Sequence, residues 1–208
     1  MKLTSQFYQG AAMVKKDKRR IILDAAESLF LSRRFDQATL EDVRLKAHVG
    51  KGTIYRYFTD KEDLYTQMVL SGLDDLHALL KEKALAARTP DARLLAAAEA
   101  LRAFYRERRN LFQSAHAEFL RGAFRSRDLH KEIHEHWRRT ADLIASVIEE
   151  GKSERSYRSD IPAQAAARMF LAMMRAADGG PDSGRRQRIP VARVVSIFLD
   201  GMRRENRK

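Results

Sequence analysis

The 208 residues carry 40 Lys and Arg against 28 Asp and Glu, a formal net charge of +12, with 44% hydrophobic residues, 33% charged residues and no cysteine. That balance excludes a disordered chain, a disulfide framework and thiolate metal sites, and the length suffices for a small domain beside a larger helical one. With no apolar run of about 18 residues and no signal-peptide core, the sequence predicts a soluble, cytoplasmic protein without a membrane partner.

The positive excess favours a polyanionic partner, and double-stranded DNA is the natural one. It is not confined to one end: residues 1–63 hold 13 Lys and Arg against 9 Asp and Glu, so most of the excess lies beyond them. There it suits either an anionic ligand or a solvated surface.

Residues 1–14 have no sustained period and are expected to form a flexible arm, with Met1 and Met13 both candidate starts. Lys15, Lys16, Lys18, Arg19 and Arg20 crowd the beginning of the first expected helix, where the macrodipole disfavours cations. They either contact phosphates or form a solvated leader. Thr39 is placed to cap a helix from Leu40, with Asp42 as the acidic partner three residues on. Leu40, Val43 and Ala47 share its buried face, with Glu41, Arg44 and Lys46 outside. His48, Val49 and Gly50 then make a turn. The next helix, 51–58, buries Ile54 and Phe58 and leaves Lys51, Gly52, Thr53, Tyr55, Arg56 and Tyr57 for a partner. Asp60 caps a third. Two helices joined by so short a turn form a helix-turn-helix, whose second helix reads the DNA major groove.

From Asp60 to near Ala87 the period is that of one long helix, and Thr89-Pro90 stops it and starts another reaching to about Arg109. A short helix follows Asn110, and a long one after Ser126, with Gly151 read as its C-terminal stop. Asp160-Ile161-Pro162 opens a helix containing Met169 and Met173, the loop 178–188 follows, and Pro190 opens the last helix. No segment reads as a strand. The predicted fold is all-α, with an N-terminal three-helix helix-turn-helix domain (15–62) and a larger C-terminal helical domain (63–208).

These residues resemble the tetracycline-repressor-like (TetR) family of regulators. The resemblance runs over Ile22, Leu23, Ala25, Ala26, Leu29 and Phe30, then Thr39, Val43, Ala47 and Val49, the run Lys51-Gly52-Thr53-Ile54-Tyr55-Arg56-Tyr57-Phe58, and Lys61-Glu62-Asp63-Leu64. It spans about 45 residues, and types recurring at fixed offsets are more specific than a lone motif. Three positions depart from the family pattern: Arg34 and His48 stand where glycine is usual, and Gly50 where a serine usually caps the reading helix.

The resemblance implies that Thr39, Tyr55, Tyr57 and Lys61 grip phosphates and that Lys51, Thr53 and Arg56 face base edges, with Gly52 admitting the backbone to the duplex. Packing is the other reading of Tyr55 and Tyr57. Glu41 is either an acceptor for cytosine N4 or a solvent-exposed helix residue. The last two helices, with Met169, Met173, Val194, Phe198 and Met202, resemble the family's homodimer interface, against the reading that they are protomer core. A small-molecule effector is expected in the C-terminal domain, with Phe104, Phe112, His116, Phe119, His134 and Trp137 either lining its site or simply packing.

The sequence asks for no cofactor and no metal. His130, His134 and His136 lack further ligands and read as surface or core histidines, and no nucleophile triad or phosphate-cradling loop supports an enzyme. The leading expectation is a homodimeric repressor released from a palindromic operator by a small molecule. The alternative is a similar DNA binder with no small-molecule inducer, acting through a protein partner or as an organiser of DNA.

Overall fold

A computed structural model describes residues 17–33, 35–108, 127–177 and 189–203. The chain divides into two compact units, Met1–Met68 and Val69–Lys208. Among the described residues every regular element is helical, apart from a three-residue 3-10 turn and an isolated bridge.

The first unit holds α1 (Lys18–Ser32), the turn Phe35–Gln37, α2 (Leu40–Ala47), α3 (Lys51–Tyr57) and the start of α4 (Lys61–Ala86). Asp17 caps α1, accepting from the Arg19 backbone N–H, and thus supplies the negative charge that the cationic first turn lacks. Ile22, Leu23, Ala25, Ala26, Leu29 and Phe30 fall on one face of α1 and are all buried. Thr39 and Asp42 complete a full capping box on α2: the Thr39 hydroxyl accepts from Asp42 N–H at 3.1 Å, and Thr39 N–H donates to the Asp42 carboxylate at 2.9 Å. Asp60 caps α4, its carboxylate accepting from Asp63 N–H at 2.8 Å, while the Asp63 carboxylate accepts from Thr59 N–H at 2.8 Å. The centre of this unit is an aromatic group. Tyr65 stands edge-on to both Phe30 and Phe35, with ring centroids 5.1 and 5.0 Å away.

The second unit holds the rest of α4 with α5 (Pro90–Glu107), α6 (Arg127–Ser153), α7 (Ala163–Ala177) and α8 (Val191–Met202). Thr89 and Pro90 open α5 as their chemistry predicts, with the Thr89 hydroxyl accepting from Ala92 N–H. α6 packs chiefly on α7, α5 packs on α6 and α8, and Phe170 of α7 meets Phe198 of α8 edge-on at 5.1 Å. The expected short helix after Asn110 and the loop 178–188 lie outside the described residues.

Gly151 is not the stop that its residue type suggested, because α6 continues through it to Ser153. Its missing Cβ makes room for an aromatic ring: a β-carbon at Gly151 would lie 2.3 Å from two ring carbons of Tyr157. The chain turns instead at Arg155, whose φ of 59° lies in the left-handed region. Tyr157 is buried, and its hydroxyl donates to Asp91 Oδ1 at 2.6 Å. The Arg158 N–H donates to the Met202 carbonyl, so one short loop fastens the start of α5 to the ends of α6 and α8. Burial and the Asp91 carboxylate both push the Tyr157 phenol far above its ordinary range.

Within the second unit α4 and α6 also meet through ions. Asp74 of α4 lies 3.2 Å from the Arg139 guanidinium and 3.5 Å from His136 Nδ1. His77, one turn along α4, sits beside them. Partial burial holds its imidazole below the usual range, the cations Arg139 and Lys81 and His136 lower it further, and Asp74 opposes.

Two outcomes follow from this packing. Gly151→Ala drives a methyl into the Tyr157 ring and is expected to lower the unfolding free energy by about 1–3 kcal/mol in chemical denaturation, the usual cost of overpacking. Because the folded pKa of His77 lies below its unfolded value of about 6.5, the unfolded chain binds more protons between the two. Stability is therefore fully present above the unfolded value and is lost as pH falls toward the folded one. Denaturation midpoints measured from about pH 7 down to pH 5 should fall more steeply for the native chain than for His77→Gln.

Candidate functional site

With seven residues, α3 is too short to be stable as an isolated helix. Tertiary burial holds it. Ile54 and Phe58 are wholly enclosed, each contributing roughly 1.5–3 kcal/mol of apolar transfer. Helical spacing turns the remaining positions outward: Lys51, Gly52, Tyr55 and Arg56 are exposed, Tyr55 to 52%, while Thr53 and Tyr57 are half-buried. The Arg56 guanidinium lies 5.0 Å from the Tyr57 ring centroid and donates to the Tyr57 hydroxyl at 3.3 Å. A β-carbon on Gly52 would meet nothing within 4 Å, so packing does not require glycine there. Glycine inside a helix nevertheless costs roughly 0.5–1 kcal/mol relative to alanine.

His48 adopts φ 53° and ψ 43°, the left-handed conformation for which glycine is better suited, and closes α2 with its N–H directed to the Leu45 and Arg44 carbonyls. Gly50 opens α3 with no side-chain cap. Arg34, the other departure, lies outside the described residues.

Two of the expected phosphate contacts are already engaged within the unit. The Thr39 hydroxyl donates to the Asp42 carboxylate at 2.7 Å while accepting from Asp42 N–H, and these Thr39 bonds hold the Asp42 carboxyl below the usual range. Lys61 Nζ donates to the Phe35 carbonyl at 3.1 Å and lies 4.3 Å over the Phe35 ring. Lys61 therefore ties the turn after α1 to the start of α4, a role its sequence position did not suggest. Glu41 is also occupied, since both of its oxygens accept from Arg44, which keeps the acid below the usual carboxylate range.

In the second unit Phe104 is buried under the Arg108 guanidinium, 4.4 Å from its ring centroid. Trp137 is half-buried, stacked 6.0 Å from Tyr105 with the Arg175 guanidinium at 5.8 Å. His134 is exposed. Phe112, His116 and Phe119 lie outside the described residues. The residues expected at a dimer interface do not form one face. Val194, Phe198 and Met202 are buried within the protomer, Met173 is half-buried, and Met169 is 58% exposed. Helical phase is the reason: Ile197, 49% exposed, takes the outward side of α8 that sequence reading had given to Val194, Phe198 and Met202. A sequence signal for the outward side existed: Arg193 and Asp200 fall at helical spacing on the same face as Ile197, opposite the apolar residues.

Residues 22–68 match the family model described as bacterial regulatory proteins, tetR family. The HTH-type transcriptional repressor KstR2 of Rhodococcus jostii is 27% identical over 167 residues, covering 75% of this chain and 76% of that protein. The crystal structure of a TetR-family transcriptional regulator from Mesorhizobium loti has the same fold, with a TM-score of 0.71 at 24% identity over 88% of this chain and 94% of that one. So does the regulator FadR from Bacillus subtilis, solved in complex with stearoyl-CoA, with a TM-score of 0.65 at 17% identity over 87% and 95% of the two chains.

Proposed function

We propose a mode of action for this chain, which belongs to the TetR family of transcriptional regulators: it is a homodimeric repressor that occupies a palindromic operator and leaves it when a small molecule binds the second unit. The observation that carries this reading is the outward face of α3. Lysine, arginine and tyrosine side chains stand around a glycine for which packing has no need, on a helix slender enough to enter the major groove.

Tyr55 and Tyr57, with the backbone near Thr39, provide the phosphate contacts that set register, and Lys51, Thr53 and Arg56 meet base edges. Lysine and arginine suit the O6 and N7 acceptors of guanine. The charge of Lys61 adds to the attraction while its Nζ stays bonded to Phe35.

One reader spans few base pairs, and two related by a two-fold axis recognise an inverted repeat about one DNA turn apart. The exposed apolar residues Met169 and Ile197, together with Ala172 and Ala176, supply the surface for a second copy. Symmetric pairing of identical patches is the commonest closed assembly.

The effector region comprises Phe104 and Trp137, with Phe112, His116, Phe119 and His134 as further candidate lining. FadR holds an acyl-CoA in the same fold, and the positive excess of this chain's C-terminal part suits an effector bearing negative charge. Such a ligand releases DNA only by the difference in its affinity for the two states, conveyed along α4, which runs from the first unit into the second.

Selection of bound duplexes from a random pool is expected to enrich an inverted repeat; a pool that stays random overturns the reading. Lys51→Ala should then lower discrimination by about 1–3 kcal/mol at the base pair it reads, measured on single-base variants of the selected duplex. In sedimentation at micromolar concentration the native chain should run at twice its 23.9 kDa mass, and the double variant Met169→Asp, Ile197→Asp at the protomer mass.

A further inference from the structure

The joint between α2 and α3 is weak by ordinary turn chemistry. Its left-handed residue is a histidine, and the helix it launches has no side-chain cap. A side chain compensates. The Val49 N–H donates to the Arg44 carbonyl at 3.2 Å, and the Arg44 side chain returns the contact, Nη1 donating to the Val49 carbonyl at 3.1 Å. The two other nitrogens fork onto Glu41, Nε to Oε2 at 2.8 Å and Nη2 to Oε1 at 2.5 Å. The guanidinium is thus held at three points, and the Arg44 side chain is only 23% exposed against 57% for Glu41. Among charged hydrogen bonds, such bidentate pairs are the more directional.

We propose that Arg44 is a positioning residue for sequence recognition: through the chain Glu41–Arg44–Val49 it fixes the direction in which α3 leaves the turn, and Glu41 acts through Arg44 instead of reading a base. The inference rests on the reading that α3 enters a DNA groove.

The carbonyl that Arg44 holds lies one residue before Gly50 and two before Lys51. An error at the turn therefore reaches the reading side chains almost undiminished, because a seven-residue helix has no length over which to absorb it. Base-edge hydrogen bonds fail beyond about 3.5 Å, whereas the attraction of cations for the phosphate backbone tolerates small displacements. Loss of Arg44 should consequently reduce discrimination more than general affinity. Lysine cannot substitute, since an ammonium does not reproduce the planar fork that spans a carboxylate and a carbonyl together.

The test compares Arg44→Met, Arg44→Lys, Glu41→Ala and the pair Glu41→Ala, Arg44→Met. Each is titrated with the duplex that the native protein selects from a random pool and with a random-sequence duplex of equal length, alongside thermal unfolding. Arg44→Met is expected to lower the ratio of the two affinities about tenfold, the worth of roughly one base contact, with the random-duplex affinity changed less than twofold. Arg44→Lys should lose nearly as much, which keeps the comparison intact if the methionine variant does not fold. The double variant should lose no more than Arg44→Met alone.

An unchanged ratio with a lowered unfolding midpoint would overturn the proposal, leaving Arg44 a purely structural tie. Losses that add in the double variant, with the Glu41→Ala change confined to a single base pair, would overturn it in favour of direct reading by Glu41. A native protein that enriches no duplex at all removes the groove reading and this inference together.

Discussion

The first unit depends on burying two side chains of a helix that does not persist unaided. Ile54 and Phe58 are fully enclosed, and their burial keeps seven residues helical. The same 3.6-residue period that turns these two inward turns Lys51, Gly52, Tyr55 and Arg56 outward. Core and outward surface are two consequences of one constraint. The outward residues can therefore vary without disturbing the core.

Around that helix the charges are sorted by partner. Arg19 is bonded to Gln67, Lys61 to the Phe35 carbonyl, and Arg44 to Glu41 and Val49. These cations brace the scaffold, and part of their hydrogen-bonding capacity is engaged in doing so. A net positive charge thus overstates the number of side chains ready to meet phosphate. The anchored cations still contribute long-range attraction, which acts through charge and not through a free donor.

The second unit obtains its coherence differently, by long helices with apolar seams and by a single loop that binds three helix ends. Tyr157 combines a large buried ring with a hydroxyl that reaches Asp91, and Gly151 supplies the space it occupies. The ion pair of Asp74 and Arg139, with His136 and His77 beside it, links α4 to α6 in this unit.

The sequence by itself determined most of the described helices, the caps at Thr39 and Thr89 and the outward side of α3, because these are local: Thr39 with Asp42, Thr89 with Pro90, and the spacing of Ile54 and Phe58 act within one or two turns of chain. The resemblance marked His48 as standing where glycine is usual, and the structure gives that residue the left-handed backbone. Tertiary structure alone decided what depends on residues distant in the chain. The Phe30, Phe35 and Tyr65 cluster, the Lys61 bond to Phe35 and the Tyr157 ring over Gly151 join positions with no common period, so no pattern along the chain announces them. The two sides of α8 were legible, since Arg193 and Asp200 share the exposed face with Ile197; what only tertiary structure decided is that Val194, Phe198 and Met202 are covered by α5 and α7 of the same protomer, because the identity of the covering helices is not written in the period of α8 itself.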